Sequence, residues 1–383
     1  MKRSVQLIAF IVASLSTAAL AQDAVVAPSS SSPVAYVYVS NNPTSTTTKV
    51  NAYAVASSGT LTSVSGSPFS IPVGYMALNG KYFFGTNGTY IYSYSIAPDG
   101  ALTYVSKLNV TEKNPYDSGG PGNLFLDHTG ASLYDGDIYA YGTGDNAYQF
   151  FDINNDNGHF YYLGLSSDGG ENAGTVLSFI GNNEYAYTAG CYHGGPPQIL
   201  AYKRSGSGSL TQLSITAPIP TAPPNEEYCS YLAAADPTNH LAVSMTPTDD
   251  ITQVGPPQLA VYTADSSGNL TTNSTLSNMP TTQVTNVTDM WMAPSGQLLA
   301  VSGTSGLQVF HFNGSNPITP YTGLLTSSQV DQMFWDNDNH LYAISRSAGK
   351  LYVFTVTPTS YSQAPGSPYT IATPMNIIVL PKS

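Results

Sequence analysis

The chain reads as an all-β protein: a seven-bladed β-propeller with four-stranded antiparallel blades. Three observations predict this. One phrase, a hydrophobic strand, a tight polar turn and a second strand, recurs as LAAADPTNHLAVS (232–244), MWMAPSGQLLAVS (290–302) and MFWDNDNHLYAIS (333–345). A second phrase, a strand, a glycine turn and a short strand, recurs as VNAYAVASSGTLTSV (50–64), IYSYSIAPDGALTYV (91–105), ILAYKRSGSGSLTQL (199–213) and LAVYTADSSGNLTTN (259–273). The two alternate with a period of roughly 40 to 60 residues, and four strands per period is the mark of propeller blades.

Residues 1–21 read as a secretory signal peptide. Lys2 and Arg3 make a basic start, an apolar stretch follows, and Ala19-Leu20-Ala21 is a small-residue cleavage signal. Residues 22–34 are rich in Ala, Ser and Pro and read as a disordered leader. The propeller then occupies 35–383. No later apolar run approaches the ~20 residues that a membrane helix needs, so no membrane insertion is expected. Without Lys2 and Arg3 the formal charge moves from −12 to −14, and only 9% of residues are charged. So acidic a chain is a poor partner for nucleic acid. A secreted or periplasmic monomer is the expectation.

The blades follow in order, with strands named A to D from the channel outward. The fold opens at AYVYVSN (35–41), which matches the second strand of a unit. Its missing first strand is MNIIVLP (375–381) at the other end, since an open ring would leave two unpaired edges. Blade 1 therefore takes 35–70 and 375–380. Blade 2 spans 75–110, blade 3 123–166, blade 4 175–217, blade 5 229–276, blade 6 287–326 and blade 7 330–370. Gly59, Gly100, Gly158, Gly208 and Gly268 mark outer C–D hairpins, where a tight turn demands positive φ.

The run YVYVSN…VNAYAVASSGTLTSVSGSPF, with its echo GSPY at 366–369, resembles the lactonase-type seven-bladed propellers, the 6-phosphogluconolactonase-like and YncE-like bacterial proteins. The resemblance spans nearly all of the chain after residue 34, and its motifs specify strands and turns rather than a reaction. It implies an exported propeller. In a lactonase it further implies basic residues and a carboxylate at the channel mouth, gripping an anionic ring-opened product. Beyond Arg3 the chain has only Arg204 and Arg346, and only Arg346 falls on that face.

Ligands meet a propeller where its D–A and B–C loops gather. His193, in the long B–C loop of blade 4, is placed there with Glu226 and Glu227 of the loop before blade 5. A His beside carboxylates suits general-base work. With Arg346 these residues are the polar kit of a divergent lactonase-type hydrolase acting on a small lactone. The other expectation is a non-catalytic binding or scaffold module. Its ligand would be a carbohydrate, a peptide or a protein, held by Tyr116, Tyr192, His193, Tyr228, Asp289 and Asp331. There is no GxSxG elbow and no paired-Cys or HExxH metal spacing, so no metal site or other cofactor is expected. Calcium is the one alternative, because Asp117, Asp145, Asp168, Glu171, Asp249 and Asp250 fall in loops of this face. Cys191 closes strand B of blade 4 and Cys229 opens strand A of blade 5, on the same face. That placement predicts a disulfide. The 28 tyrosines, many on alternating strand positions, read as inter-blade core, and Trp291 and Trp335 as packing residues.

Overall fold

Strand pairing groups the chain into seven antiparallel sheets, each an A–B–C–D blade. The computed structural model describes residues 32–41, 48–110, 123–139, 146–167, 176–191, 198–215, 217–249 and 252–382. Blade 1 orders Pro374–Pro381, Ala35–Asn41, Val50–Val55 and Leu61–Ser63. Blade 2 is Met76–Leu78, Tyr82–Thr86, Tyr90–Ile96 and Leu102–Asn109. Blade 3 is Leu124–Leu126, Ser132–Tyr139, Asn146–Ile153 and Phe160–Ser167. Blade 4 is Ser178–Phe179, Tyr185–Gly190, Gln198–Arg204 and Leu210–Gln212. Blade 5 is Glu227–Ala235, His240–Asp249, Gln258–Ala264 and Leu270–Thr271. Blade 6 is Val287–Met292, Leu298–Gly303, Gly306–Asn313 and Asn316–Pro320. Blade 7 is Gln332–Trp335, His340–Ser345, Lys350–Thr357 and Ser360–Gln363. Short extra strands, Thr252–Gln253 and Tyr369–Thr370, pair with strand B of blade 5 and strand C of blade 7. Among the described residues no helix is long and apolar enough to cross a membrane.

The ring closes as expected. The C-terminal strand pairs antiparallel with the first strand, Ala35 opposite Pro381 and Val37 opposite Val379. Closure reaches one residue beyond the strand. Val34 donates to the Val55 carbonyl at 2.9 Å and accepts from Lys382 N–H at 2.8 Å. Blade 3 holds the expected four strands with register shifts in both of its outer pairings.

The core lies between blades rather than inside any one of them. Strand residues alternate sides, so each blade buries one set against the preceding blade and the other against the next. Seven hydrophobic clusters result, one per interface. The tyrosines explain how the interfaces stay in register. Tyr36 and Tyr38 of blade 1 reach the C–D turn of blade 2, where their hydroxyls donate to Pro98 O at 2.7 Å and Gly100 O at 2.9 Å. Tyr185 and Tyr187 of blade 4 do the same to blade 5, at Ser266 O (3.1 Å) and Gly268 O (2.9 Å). The turn glycines serve two ends here. Gly100 has φ +86°, and a Cβ there would meet the Tyr36 ring at 2.6 Å. Only a residue without a side chain fits beneath the clasp.

Histidines take the tyrosine role elsewhere. His340 is fully buried at the start of strand B in blade 7, its Nδ1 2.8 Å from Asp336 Oδ2, which also accepts the Tyr342 hydroxyl at 2.7 Å. The blade 1 turn at Gly59 rests on its ring. His240 and Asp236 repeat the pair at 2.9 Å in blade 5. These contacts sit at the A–B turns, on the face opposite the D–A and B–C loops. Arg204 also sits on that opposite side, ion-paired to the buried Asp127 at 2.6 Å.

Candidate functional site

The D–A and B–C loops place three sequence-predicted residues at one sector of the channel, where blades 6, 7 and 1 meet. Asp289 is on the innermost strand of blade 6. Its Oδ1 accepts the Met290 N–H at 3.0 Å, and its Oδ2 accepts the Trp291 indole N–H at 3.1 Å. Oδ2 also accepts the Met333 N–H of blade 7 at 2.9 Å, so this side chain bridges two blades. Asp331 leads into strand A of blade 7. It accepts the Arg346 main-chain N–H at 2.6 Å and the Gln329 amide at 2.9 Å. Arg346 is exposed in the B–C loop of blade 7, its guanidinium directed at the carbonyls of Pro374 (3.4 Å) and Met375 (3.5 Å) of blade 1.

A belt of side-chain amides continues from Asp289 around the channel. Gln332 Oε1 of blade 7 accepts the Ile377 N–H of blade 1 at 3.0 Å and the Asn376 amide at 2.8 Å. Asn376 Oδ1 in turn accepts the Met76 N–H of blade 2 at 3.0 Å. In each step a polar side chain on one innermost strand takes a main-chain N–H from the next. Without it that N–H would lie buried and unpaired at the free edge of the sheet.

Asp289 differs from its amide neighbours in being ionisable. Protein crowds its carboxylate, while the residue as a whole keeps partial exposure. Burial pushes its pKa up to about 7, against the pull of its three hydrogen-bond donors. Desolvation dominates because none of those donors carries a charge. Aromatic rings lie beside it: Trp291 packs on Phe334 at 4.5 Å between centroids, both half-buried.

The remaining expectations divide. Cys191 and Cys229 are joined, with Cα atoms 5.2 Å apart, tying strand B of blade 4 to strand A of blade 5. Glu226 and Glu227 stand at the head of strand A of blade 5, away from the Asp331–Arg346 contact in blade 7. Tyr228 departs from the expectation of a stacking residue. It is 2% exposed, in the core between blades 4 and 5, with its hydroxyl on Gln258 Oε1. It opens a strand rather than sitting in a loop, and its alternation turns it inward. Trp335 is buried, as expected, whereas Trp291 is half-buried and holds Asp289. Tyr116, Tyr192, His193, Asp117, Asp145, Asp168, Glu171 and Asp250 lie outside the described residues. Among the described residues no cluster of three His, Cys, Asp or Glu side chains could hold a metal ion.

One residue had no sequence signal. Tyr231 is 43% exposed on strand A of blade 5, within the register shift between Ser230 and Ala233. A bulge re-aims side chains.

No protein-family model and no curated protein matches the chain. Solved structures do. A candidate 6-phosphogluconolactonase from Bacteroides uniformis superposes with a TM-score of 0.66 at 12% identity, covering 90% of this chain and 99% of that one. The periplasmic gluconolactonase of Pseudomonas aeruginosa gives 0.62 at 12% identity, covering 90% and 98%. A Lactobacillus plantarum protein gives 0.64 at 12%, covering 90% and 99%. At such identity the likeness is one of fold, and by fold the chain is a seven-bladed β-propeller.

Proposed function

We propose that the chain is an exported binding or scaffold module whose ligand docks at the channel mouth, in the sector of blades 6, 7 and 1. One observation carries this. The groups there that would grip a sugar-acid anion are engaged in holding the ring. Asp331 accepts from Arg346 N–H and Gln329, and the Arg346 guanidinium is directed at backbone carbonyls, with no second arginine on that face. A carboxylate is usually gripped by paired guanidinium forks. Export is supported by the Cys191–Cys229 bridge, a linkage that persists in oxidising compartments. The test is thermal melting of the mature protein against sugars, peptides and lactones, with lactone turnover followed in parallel. A melting shift without turnover supports the reading, and turnover of any lactone overturns it.

A second reading, a divergent lactonase-type hydrolase, is favoured by the titration of Asp289. A channel carboxyl near 7 suits a general base at neutral pH. The fold shared with the Pseudomonas aeruginosa gluconolactonase is compatible with it. Lactone turnover abolished in Asp289→Asn would support this reading with Asp289 as its base, turnover unchanged in the variant would remove Asp289 from that role, and no turnover of any lactone would remove the reading.

A further inference from the structure

The docking reading leaves the chemistry of the ligand open, and Asp289 narrows it. Its carboxylate is held by three donors, and all three are neutral: the Met290 and Met333 amides and the Trp291 indole. Among the described residues the ion pairs are Lys203–Glu184, Arg204–Asp127, His240–Asp236 and His340–Asp336, and none includes Asp289. Arg346, in the B–C loop of blade 7, is directed toward the carbonyls of blade 1, and Lys350, at the start of strand C, is on the Thr370 hydroxyl. The Arg346 main-chain N–H is on Asp331, a second acid of the rim. A crowded carboxylate without a counter-charge is costly to keep. Among the described residues no ion pair offsets that cost, and burial raises the Asp289 pKa to about 7.

The surroundings suit a positive guest. Trp291 and Phe334 pack together beside the carboxylate, and Tyr231 presents an exposed ring on the innermost strand of the adjacent blade 5. Aromatic faces attract cations, most strongly where water is excluded. The rim and the whole chain are acidic, with a formal charge of −12, which favours encounter with cations.

We propose that the channel mouth around Asp289 takes an organic cation, an amine or quaternary ammonium on an apolar body, with its charge against the Asp289 carboxylate and its body on Trp291, Phe334 and Tyr231. This rests on the docking reading above.

The test uses benzyltrimethylammonium as probe, titrated calorimetrically into the mature protein, with benzyl alcohol and phenylacetate as neutral and anionic comparators. The cation should bind and the comparators should not. Asp289→Asn should weaken binding by about tenfold or more, the scale of a lost charge-assisted contact. Tyr231→Leu alters an exposed ring and should leave folding intact while weakening binding by about three-fold. Affinity should also fall from about pH 8 to about pH 6, because the cation must displace the Asp289 proton. Equal affinity in Asp289→Asn, equal binding of benzyl alcohol, or no binding of the cation each overturns the assignment. If a sugar or peptide still raises the melting temperature, the docking reading survives that failure. If a lactone is turned over, the docking reading falls as well.

Discussion

Replacing Asp289 with asparagine should change the sign of its effect on stability between about pH 4 and about pH 8. The folded chain holds the Asp289 proton up to about 7, against an ordinary value of 3.8. The native state therefore binds this proton more tightly than the unfolded chain does. Its stabilising effect is complete below the unfolded pKa, declines as pH rises through the interval, and is gone above about 7. At 1.4 kcal/mol per tenfold, the full difference approaches about 4 kcal/mol. The residue's partial exposure screens it, and about 2 kcal/mol is the working figure. Asparagine carries no charge but must present an N–H toward one of the three donors, which costs about 1 kcal/mol. The variant should thus be about 1 kcal/mol more stable than wild type near pH 8 and about 1 kcal/mol less stable near pH 4. In a chain of this length each kcal/mol moves Tm by about 1–2 °C. Guanidinium unfolding of both proteins across this range is the assay. Stability curves that run parallel across the interval would refute the reasoning.

Three further predictions concern the ring. Breaking the Cys191–Cys229 bridge by Cys229→Ser should lower stability by about 3–4 kcal/mol, because a 38-residue separation is no longer closed in the unfolded chain; denaturant midpoints with and without reductant measure this. Gly100→Ala should destabilise by more than about 2 kcal/mol, since its Cβ meets the Tyr36 ring at 2.6 Å, whereas Gly80→Ala, with φ +92° and open space, should show only the ~1 kcal/mol conformational cost. Asp336→Ala strips both His340 and Tyr342 of a buried acceptor and should cost about 3 kcal/mol, while Arg346→Ala, at an exposed site, should change stability by less than about 1 kcal/mol. Chemical denaturation reads both.

Much of the fold was legible because each blade repeats the same requirements. Alternating apolar residues specify strands buried on both faces, and glycine at the C–D turns specifies positive φ. The unmatched second strand at 35–41 points to its partner at the far end. The bridge was legible for the same reason, since blade order puts Cys191 and Cys229 on one face. The site was less so. Tyr228 reads as a loop residue only if strand A of blade 5 begins at Cys229, but it begins at Glu227, and that change turns Tyr228 inward. Tyr231 depends on a bulge that no local pattern announces. Asp289 was visible as an acid near a strand start. Its hold on Met333 depends on the neighbouring blade, 44 residues away, and so belongs to packing rather than to sequence.

The most direct measurement is the melting temperature of the wild-type protein and of Asp289→Asn, side by side, across organic cations, neutral sugars, peptides and lactones. A ligand that binds only the folded state must raise it. The account predicts a shift in the wild type that is lost in the variant, without turnover of the ligand. An organic cation that shifts both proteins equally, or a lactone consumed during the assay, would contradict it.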